Sequence, residues 1–267
     1  MAKIRLDKYL ADMQIGTRSA VKEYIRKGRV RVNEAVVKSP EQKIDTETDT
    51  VLYDDKPVGY HTYEYFMLNK PQGVVSATQD TKEKTVTELI TEKNRKDLFP
   101  VGRLDKDTEG LLLITNDGAL SHELLSPKKH VDKTYFAEVM GKIGQAEVVK
   151  FKEGLVIDTE FTALPAVLEV LSFDEAKNTS RIRVTIHEGK FHQVKRMFEA
   201  VGSEVLYLKR LSMGTLVLDE SLAPGAYRRL TEQEIQMLKE TRNIKKNGSR
   251  FSADFKERYE KEGLGAV

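Results

Sequence analysis

The segment GRLDKDTEGLLLITNDG, residues 102–118, contains three carboxylates at alternate positions: Asp105, Asp107 and Glu109. Carboxylates can bind a metal ion, cap a turn, or act as a nucleophile or base in catalysis. Alternating acids followed by Gly110 fit the front half of a calcium loop, but the twelfth loop position is Asn116, where a bidentate Glu is required. A phosphatase-type aspartyl nucleophile follows an apolar strand, whereas here the apolar residues come after the acids. Spacing alone leaves a surface turn and a catalytic carboxylate as open alternatives.

The composition limits the chemistry that this chain can perform. Its 267 residues suffice for one or two domains, and 39% are hydrophobic and 32% charged. The lack of cysteine excludes disulfides, thiolate nucleophiles and sulfur-based zinc sites. No apolar stretch approaches the roughly 20 residues of a membrane span, and the start, MAKIRLDKYLADM, predicts an amphipathic helix rather than a signal peptide. We therefore expect a cytoplasmic protein without membrane contacts.

Positive charge is concentrated near the N-terminus. Residues 1–32 contain nine Lys or Arg and three acids, although the net charge of the whole chain is only +2. The spacing predicts a helix over 6–13 and, after an N-cap at Thr17, a second helix that ends near Gly28. Residues 29–33 alternate basic and apolar side chains, which predicts a strand with one basic face. Because polyanions bind such surfaces, we expect RNA contacts from these residues: Arg5, Lys8, Arg18, Lys22, Arg26, Arg29 and Arg31. A solvated charged surface is the alternative.

The larger, C-terminal part of the chain predicts a mixed α+β fold. A domain boundary is expected near residues 56–62, where an acidic, turn-rich stretch ends. Strands are predicted at 65–68, 111–115, 134–140, 167–171, 181–186 and 214–218. Helices are predicted at 84–92, 119–125, 144–152, 191–201 and 231–240. Residues 239–267 are almost wholly polar, with eight basic and five acidic residues, which predicts a charged, flexible tail.

Several motifs, which occur in family order, together resemble those of RNA pseudouridine synthases. They are YFMLNKPQG at 65–73, GRLD at 102–105, KTY at 133–135, PAVLEV at 165–170, EGKFHQVKRMF at 188–198 and APGAYR at 223–228. More narrowly, they resemble the branch that modifies small-subunit (16S) ribosomal RNA. The N-terminal part resembles the αL RNA-binding module of a small-subunit ribosomal protein. The similarity covers about residues 4–238.

This resemblance implies an architecture and a reaction. We expect an αL module at 1–58, a linker at 59–63, a catalytic domain at 64–238 and the tail at 239–267. The catalytic domain is expected to have the pseudouridine synthase fold, a mixed, largely antiparallel β-sheet with flanking helices. The family reaction breaks the bond from ribose C1′ to uracil N1, turns the base and rejoins it through C5, without a cofactor or metal.

The resemblance also assigns roles to single residues. The Asp of GRLD is the catalytic carboxylate, which maps onto Asp105; it either attacks C1′ or removes a ribose proton. The basic residue of the HQ-x-basic motif maps onto Lys195, the expected cationic partner of Asp105. Tyr135 of KTY is expected to stack near the target uracil, although a core aromatic is the alternative. Arg103 resembles the arginine that helps to extrude the nucleotide or fills its place, with a phosphate contact as the alternative.

Further RNA contacts are expected around these motifs, from Lys70, Arg103, His192, Gln193 and Arg196. No metal site is expected, because HEGKFH separates His187 and His192 by five residues rather than the four that share a helical face. The expected partner is small-subunit rRNA, free or in an assembling ribonucleoprotein particle, bound by a monomer. Two other functions stay open: a sister branch acting on large-subunit rRNA, and an rRNA-binding assembly factor without catalysis.

Overall fold

The computed structural model of the protein describes residues 3–159 and 161–240. Nearly all of the predicted tail, residues 239–267, therefore lies outside the described residues. The N-terminal unit contains β1 (Lys3–Arg5), α1 (Leu6–Asp12), α2 (Arg18–Arg26), β2 (Val30–Val32), β3 (Ala35–Val36), β4 (Lys43–Asp45), β5 (Val51–Tyr53) and β6 (Lys56–Pro57). Strands β3, β2, β5 and β6 form one small sheet in that order, and β1 pairs with β4.

The two N-terminal helices form where apolar residues recur on one helical face. Leu6 and Leu10 of α1 and Val21 and Ile25 of α2 are fully buried in one core cluster. The Thr17 hydroxyl accepts a hydrogen bond from a backbone N–H in the first turn of α2, which confirms the predicted N-cap. The first predicted helix is confirmed as α1. The residues before it, which we expected to belong to the same helix, instead form β1.

The second unit is built on a large sheet. Its elements are β7 (Tyr65–Lys70), β8 (Phe99–Pro100), β9 (Glu109–Thr115), α3 (Gly118–Leu125), a 3-10 helix (Pro127–Lys129), β10 (Lys133–Met140), α4 (Gln145–Glu153), β11 (Leu155–Val156), β12 (Thr162–Ala163), β13 (Val167–Asp174), β14 (Thr179–Ile186), α5 (Gln193–Glu199), β15 (Val205–Met213), β16 (Leu216–Val217), β17 (Tyr227–Arg229) and α6 (Glu232–Glu240). Its main path runs β13-β14-β10-β15-β9-β7-β17. The β15–β9 pair is parallel and the other pairs on this path are antiparallel, so the predicted mixed, largely antiparallel α+β class is confirmed.

Both faces of the central strands are covered, which explains the uninterrupted apolar run of β9. Along β9, Leu112 and Ile114 join one buried cluster, whereas Leu111 and Leu113 join another on the opposite face. A strand buried on both faces has no polar alternation in its sequence. The Asp117 carboxylate accepts from a backbone N–H in the first turn of α3 and so caps that helix.

Two predicted elements differ from the structure. Residues 84–92 form turns rather than a helix. Thr85 and Thr87 form side-chain hydrogen bonds there, to Glu88 and to the Thr78 carbonyl, and such local bonds compete with helix formation. The long strand β15 was not predicted, and the strand expected at 214–218 is only the short β16.

The N-terminal unit contacts the second unit through a small polar cluster. Gln14 Nε2 donates to the Lys93 carbonyl at 2.7 Å. The Tyr60 hydroxyl donates to the Asp12 carboxylate at 3.0 Å, and Arg95 Nη1 lies 3.4 Å from the same carboxylate. These bonds join the two units across the predicted linker. None of the helices in the described ranges combines the length and the apolar character that crossing a bilayer requires.

Candidate active site

Asp105 lies in a loop between β8 and β9 whose path is fixed by hydrogen bonds. Ser76 Oγ donates to the Leu104 carbonyl at 2.8 Å and accepts from the Leu104 N–H at 3.0 Å. The Gly73 N–H donates to the Lys106 carbonyl at 2.8 Å. The backbone is therefore held on both sides of Asp105, as the presentation of one carboxylate in a defined direction requires.

The side chain of Lys70 completes the support of this loop. Its Nζ donates to the carbonyls of Pro71 at 3.0 Å, Lys106 at 3.3 Å and Thr108 at 2.9 Å, and the residue is fully buried. Burial lowers the pKa of Lys70 to about 8, although nearby carboxylates oppose this effect. The predicted RNA contact at Lys70 is therefore wrong. Three carbonyls replace the hydration of the ammonium, so it acts inside the protein as a clamp on the loop.

Gly110 lets the loop continue into β9 beside β15. Gly110 lies opposite Arg210 in the parallel β9–β15 register and has φ +100°. A Cβ at this position would lie 2.3 Å from the Arg210 carbonyl oxygen. A residue without a Cβ is therefore required here, both for the backbone conformation and for the close approach of the strands.

Two basic residues of α5 and its N-cap lie against the Asp105 carboxylate. Lys195 Nζ is 3.4 Å from Asp105 Oδ2, and His192 Nε2 is 3.5 Å from Asp105 Oδ1. Lys195 Nζ is closer to Asp107, at 2.7 and 2.8 Å from its two oxygens. The hydrogen bond from Lys195 is the largest cause that holds the pKa of Asp107 below its ordinary value. Lys195 thus lies beside Asp105, as expected, but bridges two carboxylates rather than pairing with one.

The three acids at 105, 107 and 109 do not all have the same partner. Asp105 and Asp107 face Lys195, whereas Glu109 accepts a hydrogen bond of 2.6 Å from the Tyr207 hydroxyl. This bond and burial raise the pKa of Tyr207, burial being the larger cause. Among residues 3–159 and 161–240, no group of three or more His, Cys, Asp or Glu is arranged to hold a metal ion.

The Asp105 carboxylate, 29% exposed, opens into a cavity of about 120 Å³. The lining includes six predicted site residues: Arg103, Asp105, Tyr135, His192, Gln193 and Lys195. Apolar lining comes from Leu104, Leu125, Ile186, Val194 and Leu208. A larger cleft of about 480 Å³ lies around residues 78–81 and 93–98, but none of the predicted site residues lines it. A small, partly apolar cavity with convergent charged groups is the form that a site for one planar base would take.

Tyr135 forms part of the wall of this cavity. It lies on β10, is 7% exposed, and is placed opposite Arg210 of β15. Side chains directly opposite each other in antiparallel strands point to the same face, so Tyr135 and Arg210 share the cavity side of the sheet. Tyr135 also belongs to the main core cluster, so it is both a cavity residue and a core aromatic, the two alternatives expected from the sequence.

Sequence reasoning missed two cations that line the cavity, Lys133 and Arg210. Lys133 was noted only as the first residue of KTY, and Arg210 lies in the strand that was not predicted. Burial is the main cause that lowers the pKa of Lys133 to about 8, and the charge of Arg210 adds to it. The alternation in LYLKRLSM at 206–213 is a signal for the strand, but it does not distinguish a buried arginine from an exposed one.

Gln193 lines the cavity, but its side-chain amide is already engaged by the preceding loop. Its Oε1 accepts from the Lys190 N–H at 2.9 Å, and its Nε2 donates to Glu188 Oε1 at 2.8 Å. Gln193 is 4% exposed, and its predicted contact with RNA stays a prediction. Its two hydrogen bonds fix the loop that carries His192.

The mouth of the cavity presents an aromatic and a basic side chain. Phe191 is 73% exposed and stacks on the His192 ring, with centroids 3.8 Å apart and planes 18° apart. His192 has a left-handed backbone, φ +49°, which turns the chain into α5. Arg103 is exposed and forms no ion pair within the described part of the chain, so its guanidinium is available to RNA. Sequence reasoning did not single out Phe191.

Most of the other predicted RNA-binding residues have acidic partners in the structure. Arg196 pairs with Asp158, Lys8 with Asp12, Arg29 with Asp54, and Arg31 lies near Asp55. Arg5, Arg18 and Lys22 converge on the buried Asp7, at 2.9, 3.6 and 4.0 Å.

Burial alone would raise the pKa of Asp7, but the hydrogen bond from Arg5 and the charge of Arg18 keep it below the ordinary value. Arg26 is exposed and forms no ion pair with any residue that the structure describes. The geometry thus leaves Arg26 as the basic side chain of α2 that is most available to a phosphate.

Two family models match the chain in the regions just described. The model described as RNA pseudouridylate synthase matches residues 64–200, which hold most of the cavity lining, and the S4 domain model matches residues 4–51. The chain belongs to the RNA pseudouridine synthase family. The predicted family and the predicted N-terminal module, here an S4 domain, are thus confirmed.

This chain matches similar proteins over almost their full length. A Bacillus subtilis (strain 168) protein named uncharacterized RNA pseudouridine synthase YtzG is 47% identical over 89% of this chain and 99% of its own. An Escherichia coli (strain K12) protein named ribosomal small subunit pseudouridine synthase A is 42% identical over 87% of this chain and 98% of its own. A solved structure, a crystal structure of pseudouridylate synthase, aligns with TM-score 0.61 and 38% identity over 88% of this chain and 99% of that chain.

Proposed function

We propose that this pseudouridine synthase isomerises a uridine of small-subunit (16S) rRNA, with Asp105 as the catalytic carboxylate acting on an everted nucleotide. The observation that carries this proposal is the position of Asp105, which opens into a cavity beside Lys195 and His192 and shares it with Tyr135. Asp105 is the carboxylate among the lining residues of that cavity. No cofactor or metal takes part in the proposed reaction.

Each wall of the cavity has a part in this proposal. A uridine inside a helix cannot reach Asp105, so the target nucleotide leaves the stack and its base enters the cavity. Tyr135 offers a ring against which the uracil can stack. Arg103, exposed at the mouth, contacts the RNA or fills the position that the base has left.

The carboxylate acts on the sugar in one of two ways. Asp105 either attacks C1′ as the bond to N1 breaks, or removes a ribose proton so that a glycal forms. In both routes the electron pair of the C1′–N1 bond stays on the base, which turns and bonds to C1′ through C5. Lys195, 3.4 Å from Asp105, stabilises the negative charge of the carboxylate, because an adjacent cation offsets the hydration lost on RNA binding.

The S4 domain supplies the second contact with RNA. We propose that its basic residues bind phosphates near the target and orient the catalytic domain, with the domain boundaries expected from the sequence and the chain acting as a monomer in the cytoplasm. The small-subunit specificity is supported by the E. coli relative, whose name states small-subunit activity and which this chain matches over 98% of that protein's length.

The experiment is release of tritium from C5 of uridine in transcripts of small- and large-subunit rRNA, with a chelator present and no cofactor added. Rejoining through C5 displaces the C5 hydrogen, so each turnover releases one tritium. We expect release from small-subunit RNA at a single uridine. Release only from large-subunit RNA would reject the subunit assignment, and binding to both RNAs without any release would reject catalysis.

A further inference from the structure

Two buried cations line the active-site cavity without an acidic partner. Arg210 is 2% exposed; its Nε donates to the Leu111 carbonyl at 2.8 Å, but its Nη2 is buried and has no hydrogen-bond partner in the described ranges. Lys133 is 7% exposed, and its Nζ donates to the Val131 carbonyl at 3.0 Å. Neither forms an ion pair with a residue that the structure describes.

This arrangement is unfavourable for the protein alone. A buried charge without a counter-charge destabilises the folded state, and two like charges close together repel each other. The charge of Arg210 is strong enough at Lys133 to add to the effect of burial in lowering the pKa of Lys133. The charges of Asp132 and Glu188 offset only part of this effect. Such a pair is expected where a ligand brings the missing acceptor.

The sheet places both cations in the cavity, where we expect the base, rather than at the surface, where we expect the RNA backbone. Arg210 lies opposite Tyr135 across the β10–β15 pair, and Lys133 lies two residues before Tyr135, so all three line the same cavity as Asp105. Phosphates stay on the RNA strand at the surface, where Arg103 is exposed. The group that can reach a fully buried guanidinium through a cavity of about 120 Å³ is the everted base.

We propose that Arg210, with Lys133 beside it, receives a carbonyl oxygen of the target uracil and stabilises the negative charge of the detached base. This inference rests on the function proposed above. When the C1′–N1 bond breaks, its electron pair stays on the base and spreads over N1 and the two carbonyl oxygens. A donor fixed at one of these oxygens stabilises that anion more than the neutral base, which accelerates bond cleavage. After C5 bonds to C1′, the C5 proton leaves and N1 gains a proton, so no co-reactant is needed.

The first experiment is single-turnover release of C5 tritium by Arg210→Met and Arg210→Lys. Met keeps an unbranched apolar stem without the guanidinium and its charge, and Lys keeps the charge without the Nη2 donor. Lys209→Met is the matched control, because Lys209 is the neighbouring cation on β15 and does not line the cavity. We expect Arg210→Met to slow release by about 10²- to 10³-fold, the effect of losing one oxyanion donor, and Lys209→Met to leave it within about threefold.

The second experiment separates contact with the base from a structural role. The target uridine is replaced by 2-thiouridine or 4-thiouridine, in which sulfur, a weak acceptor, takes the place of one carbonyl oxygen. We expect the effect of Arg210→Met to fall below about tenfold for one of these substrates and to stay undiminished for the other, as in a double-mutant cycle. The ratio between the effects of Arg210→Met on uridine and on a thiouridine does not depend on how much of the variant is folded.

The outcomes distinguish this inference from the proposed function. If the wild-type protein releases tritium and the effect of Arg210→Met is the same for uridine and both thiouridines, Arg210 does not contact the base and the inference is wrong, although the proposed function stands. An unchanged rate for Arg210→Met overturns it as well. If the wild-type protein releases no tritium from any rRNA, the proposed function itself fails.

Discussion

Replacement of Lys195 by methionine tests how the negative charge of Asp105, the proposed catalytic residue, is stabilised. The ammonium lies 3.4 Å from Asp105 Oδ2. At that distance the attraction between unit charges is about 5 kcal/mol at an effective dielectric constant of 20 and about 1 kcal/mol in water. Because both side chains are partly exposed, at 20% and 29%, we expect an intermediate loss of about 2 to 3 kcal/mol. This corresponds to a rate about 30- to 150-fold lower for Lys195→Met.

The assay is single-turnover release of C5 tritium at saturating RNA, which separates the chemical step from binding. Asp107→Asn is the informative control. Asp107 is the nearer acid to Lys195, at 2.7 Å, and its side chain is 68% exposed. Its loss frees the ammonium to move toward Asp105, so we expect a rate within about threefold of the wild type, or above it. Lys195→Arg keeps the charge and should lose less than tenfold.

Two results would refute this reasoning. A normal rate for Lys195→Met would show that Asp105 does not need this cation. A loss of rate in Asp107→Asn as large as that in Lys195→Met would show that the reaction needs Lys195 to bridge both acids, and that a positive charge beside Asp105 is not sufficient.

Three further predictions concern the frame of the site and the RNA module. Gly110→Ala should destabilise the fold by at least about 3 kcal/mol, since its Cβ would meet backbone at 2.3 Å, whereas Gly73→Ala, with φ +80° and open space, should lose only about 1 kcal/mol in thermal unfolding. Burial lowers the pKa of Lys133 from 10.5 to about 8, so between these pH values the unfolded chain binds a proton that the folded chain does not, and the folded state is destabilised as the pH falls. In urea titrations, the free energy of unfolding of the wild type relative to Lys133→Met should therefore rise by about 2 kcal/mol from pH 7 to 9.5. Arg26→Gln should reduce the salt slope of RNA binding by about 1, and Arg29→Gln by less than half of that, because Asp54 already neutralises Arg29.

Each of these predictions has a contrary result. Equal losses of stability in the two glycine variants would mean that the backbone strain of a positive φ, not the close approach of β9 and β15, decides the effect. A pH-independent difference between wild type and Lys133→Met would mean that the lysine titrates normally. A larger change in salt slope at Arg29 than at Arg26 would mean that the ion pair with Asp54 opens when RNA binds.

The caps and periodic elements were predictable because their causes are local. Thr17 and Asp117 each accept from a backbone N–H in the first turn of the helix that follows, and β9 contains an uninterrupted run of four apolar residues at 111–114. The helix at 84–92 was wrong because its apolar residues, including Val86 and Ile90, are buried through turns that side-chain hydrogen bonds stabilise. Hydrophobic spacing does not distinguish these two arrangements.

Which residues form the site was harder to predict from the sequence, because it depends on contacts between distant parts of the chain. Asp105, Tyr135 and Lys195 could be brought together only through the family resemblance, and the structure places all three around one cavity. The burial of Lys70 and the presence of Arg210 were not predictable from spacing. Both depend on partners far along the chain, the loop carbonyls at 106 and 108 and the carbonyl of Leu111, and a lysine or arginine alone predicts exposure.

Asp105→Asn tests directly whether the carboxylate of Asp105 performs the chemistry. The substitution keeps the shape of the side chain in its cavity and removes the negative charge. We predict that the variant binds small-subunit rRNA within a few-fold of the wild type and releases no C5 tritium, in single-turnover reactions long enough to detect a rate 10⁴-fold below the wild type. Tritium release by Asp105→Asn at a rate near that of the wild type would show that the carboxylate of Asp105 is not the catalytic group.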